Sequence, residues 1–112
     1  MATAGLYIIR FLGQAGFGDG VLYIGHGLIS GADTNGVIYD GSYQEADGGL
    51  KAEAVLSMPA AGQLVTGTAM SVGQKIAIAA DLSADFANGE PQQVTVEGRT
   101  VTVTFHKIRD LP

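Results

Sequence analysis

The sequence predicts an all-β fold: a small eight-stranded antiparallel barrel with meander connections, formed by residues 1–112 as a single domain. Apolar residues recur with a period of two along most of the chain, and no stretch of useful length has helical periodicity. The chain has 17 glycines but only 3 prolines, a composition typical of many tight turns. About eight short strands follow one another at the spacing of an antiparallel barrel or sandwich. We favour the barrel over the sandwich because closure removes both exposed sheet edges.

Turns that contain glycine divide the first half of the chain. Residues 25–27 have the sequence Gly-His-Gly, and residues 33–36 end in Asn-Gly, the strongest signal for a tight hairpin. Residues 13–20 are also rich in glycine, but they lead into a strand, whereas a phosphate-binding loop leads into a helix. We therefore interpret them as a flexible hairpin loop. The predicted strands between these turns cover residues 6–12, 21–24, 28–30 and 37–43.

The second half contains the clearest strand of the sequence, from residue 50 to residue 58. Its apolar residues face one side and its charged residues face the other. Residues 63–70 are ambiguous between a short strand and an irregular crossing. Residues 83–88 are predicted to form one helical turn that ends at Gly89. The remaining predicted strands cover residues 76–82, 93–97 and 100–108.

The net charge of the chain is −5, and most of it comes from the first half. Residues 1–50 hold five acidic residues and one basic residue. A negative chain repels phosphate backbones, so we expect no direct nucleic-acid binding and, instead, attraction for a basic protein. No stretch reaches the length of a membrane span, and the first residues lack a signal-peptide pattern. We therefore expect a cytoplasmic protein that does not enter the membrane.

No residue pattern typical of an enzyme or a metal centre occurs, and we expect neither catalysis nor a metal or other cofactor. His26 and His106 are the only histidines, and without cysteine they cannot complete a closed zinc site, so we expect both to face solvent. Asp33 and Asn35 resemble the start of a calcium loop, but the required glycine and glutamate are absent, which indicates turns. The four tyrosines lie in the first four strands, where they either pack in the core or line a barrel mouth or dimer face.

Four segments of the first half form a distinctive series when they are taken in order: Gly5-Leu6-Tyr7-x-Ile9-x-Phe11, Gly20-Val21-Leu22, Ile29-Ser30-Gly31-x-Asp33 and Tyr39-x-Gly41. Together they resemble the GrlR family, whose members are negative regulators of bacterial type III secretion. The tail from Asp85 to Pro112 looks like a bacterial subgroup of that family. The resemblance implies a lipocalin-like eight-stranded barrel that forms a homodimer, in agreement with the fold predicted from the periodicity.

The resemblance also implies a partner and a binding site. The family's regulator sequesters a basic transcriptional activator through an acidic cluster in the hairpin that follows the Tyr-x-Gly strand. Here that hairpin holds Glu45 and Asp47, and we expect both to bind a basic transcription factor, with Asp40 in support. Ala46 and Gly48 stand where the family has further acidic residues. The alternative is a carrier that holds a small apolar ligand inside the barrel, since eight strands enclose room for one.

Overall fold

The computed structural model is a closed antiparallel barrel of eight strands, which confirms the predicted fold class. It describes residues 4–46, 48–64, 66–67, 69–83 and 85–110, and none of these residues is helical. The strands are β1 (Gly5–Gly13), β2 (Gly16–Gly25), β3 (Leu28–Asp33), β4 (Ile38–Ala46), β5 (Gly49–Ser57), β6 (Gly62–Gln63), β7 (Ala69–Met70), β8 (Lys75–Leu82), β9 (Gln92–Val96) and β10 (Arg99–Asp110). Each barrel strand pairs with the next along the chain, and β10 pairs with β1 to close the barrel; β6 and β7 form a separate short ribbon.

The inward-facing residues of each strand fill the interior, as the period of two predicts. On β1, Tyr7, Ile9 and Phe11 are buried, whereas Arg10 is exposed. On β10, buried valines and Phe105 alternate in the same way with half-buried threonines. Burial of this apolar surface is the main favourable contribution to folding.

Residues 13–20, which were predicted to form a flexible loop, instead belong to a long β-hairpin with a tight turn. β1 continues to Gly13 and β2 begins at Gly16, so the turn between them has only two residues. Gly18 faces inward opposite Phe11, and a Cβ atom at Gly18 would lie 2.7 Å from Cζ of that ring. The prediction of a flexible loop is therefore wrong, because a glycine in this segment makes room for an interior aromatic ring.

The segment after β8 forms two turns and not the predicted helical turn. The Phe86 N–H donates to the Ser83 carbonyl oxygen over 3.1 Å, and the Asn88 N–H donates to the Asp85 carbonyl oxygen over 3.1 Å. Gly89 then adopts a φ of +88°, which reverses the chain toward β9. These turns place Phe86 at the end of the barrel that has the β2–β3 and β4–β5 turns, called the lower end below. Its ring packs there against Tyr7 and Phe105.

Different segments cover the two ends of the barrel. The upper end has the β1–β2, β3–β4 and β9–β10 turns, and the described residues of 58–74, called the strap below, cross it. Met58, Leu64 and Met70 of the strap are buried. Arg99 holds the strap by donating from Nη1 to the Thr66 carbonyl oxygen over 2.5 Å. The sequence left residues 63–70 open, and their described part lies in this crossing, with Gln63 in β6 and Ala69–Met70 as β7.

Candidate functional site

A cavity of about 120 Å³ lies in the interior of the barrel, beneath the strap. Its walls are mostly apolar side chains from the barrel strands, and Leu64 and Thr66 of the strap contribute to its upper end. Apolar cavities of about 150 Å³ in proteins stay dry and bind single-ring molecules such as benzene. The volume and lining of this cavity therefore suit a ligand of one ring.

Three alanines of neighbouring strands, Ala52 and Ala54 of β5 and Ala80 of β8, are among the residues that line the cavity. Ala52 pairs with Ala80, and Ala54 pairs with Gly41, all at inward-facing positions. Each of these two rows also holds one large residue, Tyr43 beside Ala52 and Ile78 beside Ala54, and larger side chains occupy the flanking rows. The large residues of these flanking rows are Tyr39, Leu56 and Ile76 on one side and Leu50 and Leu82 on the other.

Asp33 and Asn35 of the β3–β4 turn, together with Thr66 of the strap, are polar residues within the mostly apolar lining of the cavity. The Asp33 carboxylate is held by three donors. Its Oδ1 accepts from the backbone N–H groups of Asn35 at 2.9 Å and Val37 at 3.0 Å, and its Oδ2 accepts from the Tyr39 hydroxyl at 2.6 Å. The Asp33–Asn35 segment is thus part of a turn, as the sequence indicated, but both residues also line the cavity.

The environment of Tyr39 keeps its hydroxyl protonated. Burial in the barrel wall, followed by the hydrogen bond to Asp33 and the charge of that carboxylate, raises the pKa of Tyr39 well above its ordinary value. Tyr39 consequently remains a donor to Asp33 when an exposed tyrosine would already have lost its proton.

The variant Tyr39→Phe tests this coupling. At pH 7 we expect it to lower the free energy of unfolding by about 1.5 kcal/mol, because a hydrogen bond to a charged acceptor is lost. Above about pH 10 the unfolded wild-type chain ionises at residue 39 and the folded chain does not, so wild-type stability falls by about 1.4 kcal/mol per pH unit. The variant lacks this loss, so its deficit should shrink. Urea denaturation of wild type and variant at pH 7 and pH 11 measures this difference in the free energy of unfolding. A difference that is the same at both pH values would contradict the coupling of Tyr39 to Asp33.

The structure does not bring Asp40 and Glu45, two of the three acidic residues predicted to bind a partner, together on one surface. Asp40 is exposed on the outer face of β4. Glu45 lies at the opposite parity of the same strand, near the lower end, where it pairs with Leu50. Five residues of extended strand separate the two by about 17 Å. Asp47 lies outside the described residues.

Both histidines are exposed, as expected. The imidazole of His26 is 2.7 Å from the Tyr23 hydroxyl through Nδ1, and the residue adopts a φ of +54° in the two-residue β2–β3 turn. His106 lies beside Gly89. Among the described residues, no group of three or more histidine, cysteine, aspartate or glutamate side chains is placed to hold a metal ion. Three of the four tyrosines pack in or against the core, and Tyr23 lies outside it.

Comparison with known proteins adds no relative. No protein-family model matches the chain, and no curated protein is significantly similar to it. The resemblance to the GrlR family therefore stays a prediction. In the part of the chain that the structure describes, no helix is long and apolar enough to cross a membrane.

Proposed function

We propose that this protein binds a small apolar molecule inside its barrel. The observation that carries the proposal is the cavity of about 120 Å³, whose mostly apolar lining includes Ala52, Ala54 and Ala80. Apolar walls with few convergent polar groups are typical of small-molecule sites. The strap and Phe86 cover the two ends of the barrel, so a bound ligand would be removed from water over most of its surface.

The size of the cavity limits the affinity as well as the ligand. A single-ring ligand has about six to ten heavy atoms, and small ligands gain at most about 1.5 kcal/mol per heavy atom. After the costs of association, dissociation constants on the order of micromolar to millimolar are expected. The two available entry routes are past the strap and between β8 and β9, which pair at a single position, Ala79 with Thr95.

The variant Ala54→Leu tests the proposal by filling the cavity. Ala54 faces inward between Gly41 and Ile78, so three added carbon atoms would occupy the space of the ligand. Toluene affinity, measured by titration calorimetry, should fall by at least about tenfold, the loss of about 1.4 kcal/mol. Ala77→Leu is the matched control, because Ala77 is exposed on the outer face of the adjacent strand. Wild-type toluene binding by the Ala54→Leu variant would contradict the proposal.

Binding to a basic protein is a second candidate function, and a neighbour of Asp40 favours it. Asp40 pairs with Val55, and Glu53 lies two residues from Val55 on the same outer face of β5. The two acidic residues are diagonal neighbours, about 7 Å apart, and both line a shallow groove on this face. The supporting acidic residue of Asp40 is therefore Glu53, and Glu45 belongs to a separate surface.

The double variant Asp40→Asn, Glu53→Gln tests the second candidate. Both side chains are exposed, so the free energy of unfolding should change by less than about 0.5 kcal/mol. Association with a lysine-rich peptide should slow and depend less on salt, because exposed carboxylates steer a basic partner. Glu45→Gln is the comparison variant for the hairpin. Unchanged rates and salt dependence in the double variant would exclude this face as a basic-partner site.

A two-fold homodimer is the assembly that the resemblance implies, and we retain it as a proposal. A closed barrel has no free sheet edge, so two copies would meet through side chains of an outer face. Leu12 and Phe17 form a cross-strand pair on the outer face of β1 and β2, and they are 59% and 79% exposed. This exposed apolar pair supports the assignment of that face to the interface.

A further inference from the structure

We propose that the cavity selects a neutral single-ring molecule that carries one hydrogen-bond donor, and that the Asp33 carboxylate receives this donor. The inference rests on the proposed function, because it names the chemical class of the ligand for the same cavity. It starts from Asp33, which is a charged residue among the mostly apolar residues that line the cavity.

The carboxylate of Asp33 has acceptor capacity left. Its two oxygens provide about four acceptor positions, and the N–H groups of Asn35 and Val37 and the Tyr39 hydroxyl use three of them. The same three contacts fix the orientation of the carboxylate at the cavity wall. A ligand hydroxyl or N–H group beside this carboxylate would occupy the remaining position without rearrangement of the turn.

The charge of Asp33 excludes anions from the same place. No ion pair joins Asp33 to a lysine or arginine of the described chain, so its negative charge is offset only by hydrogen bonds. A ligand carboxylate beside it would add like-charge repulsion to the cost of leaving water. Fatty acids are therefore disfavoured twice, because a long acyl chain also exceeds a cavity of about 120 Å³.

Different residues of the lining are expected to contact the ring and the donor group of the ligand. Ala52, Ala54 and Ala80 leave room for the ring, and Asp33 and Thr66 are polar residues of the same lining. A site that offers a hydrogen-bond acceptor to its ligand discriminates against an analogue that lacks the donor. The cavity is thus expected to distinguish two rings of equal size by one hydroxyl group.

Phenol, fluorobenzene and benzoate form the test series, because the first two have nearly the same size and only phenol is a donor. We expect wild-type protein to bind phenol at least as tightly as fluorobenzene, although water solvates phenol far better. We expect it to bind benzoate at least about tenfold more weakly than phenol. Asp33→Asn replaces one acceptor oxygen by a donor. It should weaken phenol binding by about tenfold and change fluorobenzene binding by less than about twofold.

The outcomes separate the two proposals. If fluorobenzene binds and phenol binds no more tightly to wild-type protein than to the Asp33→Asn variant, the ligand class is overturned and the apolar cavity site stands. Benzoate binding equal to phenol binding overturns the ligand class as well. If neither fluorobenzene nor phenol binds, the proposed function fails and this inference fails with it. Should the variant not fold, the wild-type series alone decides, since it needs no substitution.

Discussion

Replacing Phe86 with alanine is expected to lower the free energy of unfolding by about 3–5 kcal/mol. Phe86 belongs to the connection after β8 and not to a strand, yet it is only 5% exposed. Its ring stacks on Tyr7 with a centroid distance of 5.5 Å and meets Phe105 edge-on at 5.4 Å. Removal would leave a cavity and open the lower end of the barrel to water.

The variant Phe86→Leu is the matched control for Phe86→Ala. Leucine keeps most of the volume at the lower end but loses both ring contacts, and such a substitution should cost about 1.5 kcal/mol or less. Urea denaturation of both variants therefore separates the filling of the barrel end from the aromatic contacts. Equal losses in the two variants would mean that ring contacts, and not volume, hold this end closed.

The barrel was predictable because nearly every strand alternates without ambiguity. The strand from residue 50 to residue 58 places its apolar residues inward and its charged residues outward, as observed. The two segments that were predicted wrongly are those where side-chain packing overrides a local signal. Glycines at residues 13–20 suggest a loop until the ring of Phe11 is placed against Gly18, and residues 83–88 suggest a helical turn until Phe86 is placed in the core.

The sequence offered a ligand space inside the barrel as an alternative but did not locate it, although its residues were already placed on the inner face. Ala52, Ala54 and Ala80 alternate with outward-facing residues, so the sequence indicates that small side chains point inward. Only the register between strands shows that Ala54 meets Gly41 and that Ala52 meets Ala80, and register is a property of the folded sheet. Alanine at successive inward positions of neighbouring strands is the signal that marks such a gap.

The sequence was sufficient to predict that Asp40 and Glu45 point to opposite faces of their strand. Residues at an odd spacing on one strand point to opposite faces, so Asp40 and Glu45 could not share a surface within a regular strand. The diagonal proximity of Asp40 and Glu53 could not be predicted in this way, because it depends on the register of β4 with β5. Asp33 was interpreted as a turn residue, and its second role at the cavity wall follows from the closure of the barrel.

The variant Gly41→Ala is expected to lower the free energy of unfolding by about 3 kcal/mol, although alanine usually stabilises a strand relative to glycine. A Cβ atom at Gly41 would collide with the Glu53 carbonyl oxygen and approach the Cα atom of Ala54 to 2.7 Å. Both are backbone atoms of the paired strand β5, which cannot move aside as a flexible side chain would. The added methyl group therefore pushes β4 away from β5.

Gly16→Ala is the matched control, because a Cβ atom at Gly16 would have no other heavy atom within 4 Å. We expect this variant to be unchanged or more stable by about 0.5 kcal/mol, since alanine loses less backbone freedom on folding. Denaturant midpoints of the two variants measure the contrast. Gly41 pairs with Ala54, which lines the cavity, so displacement of β4 should weaken toluene binding without filling the site. If Gly41→Ala were as stable as Gly16→Ala, close approach of β4 and β5 would not be what shapes this wall.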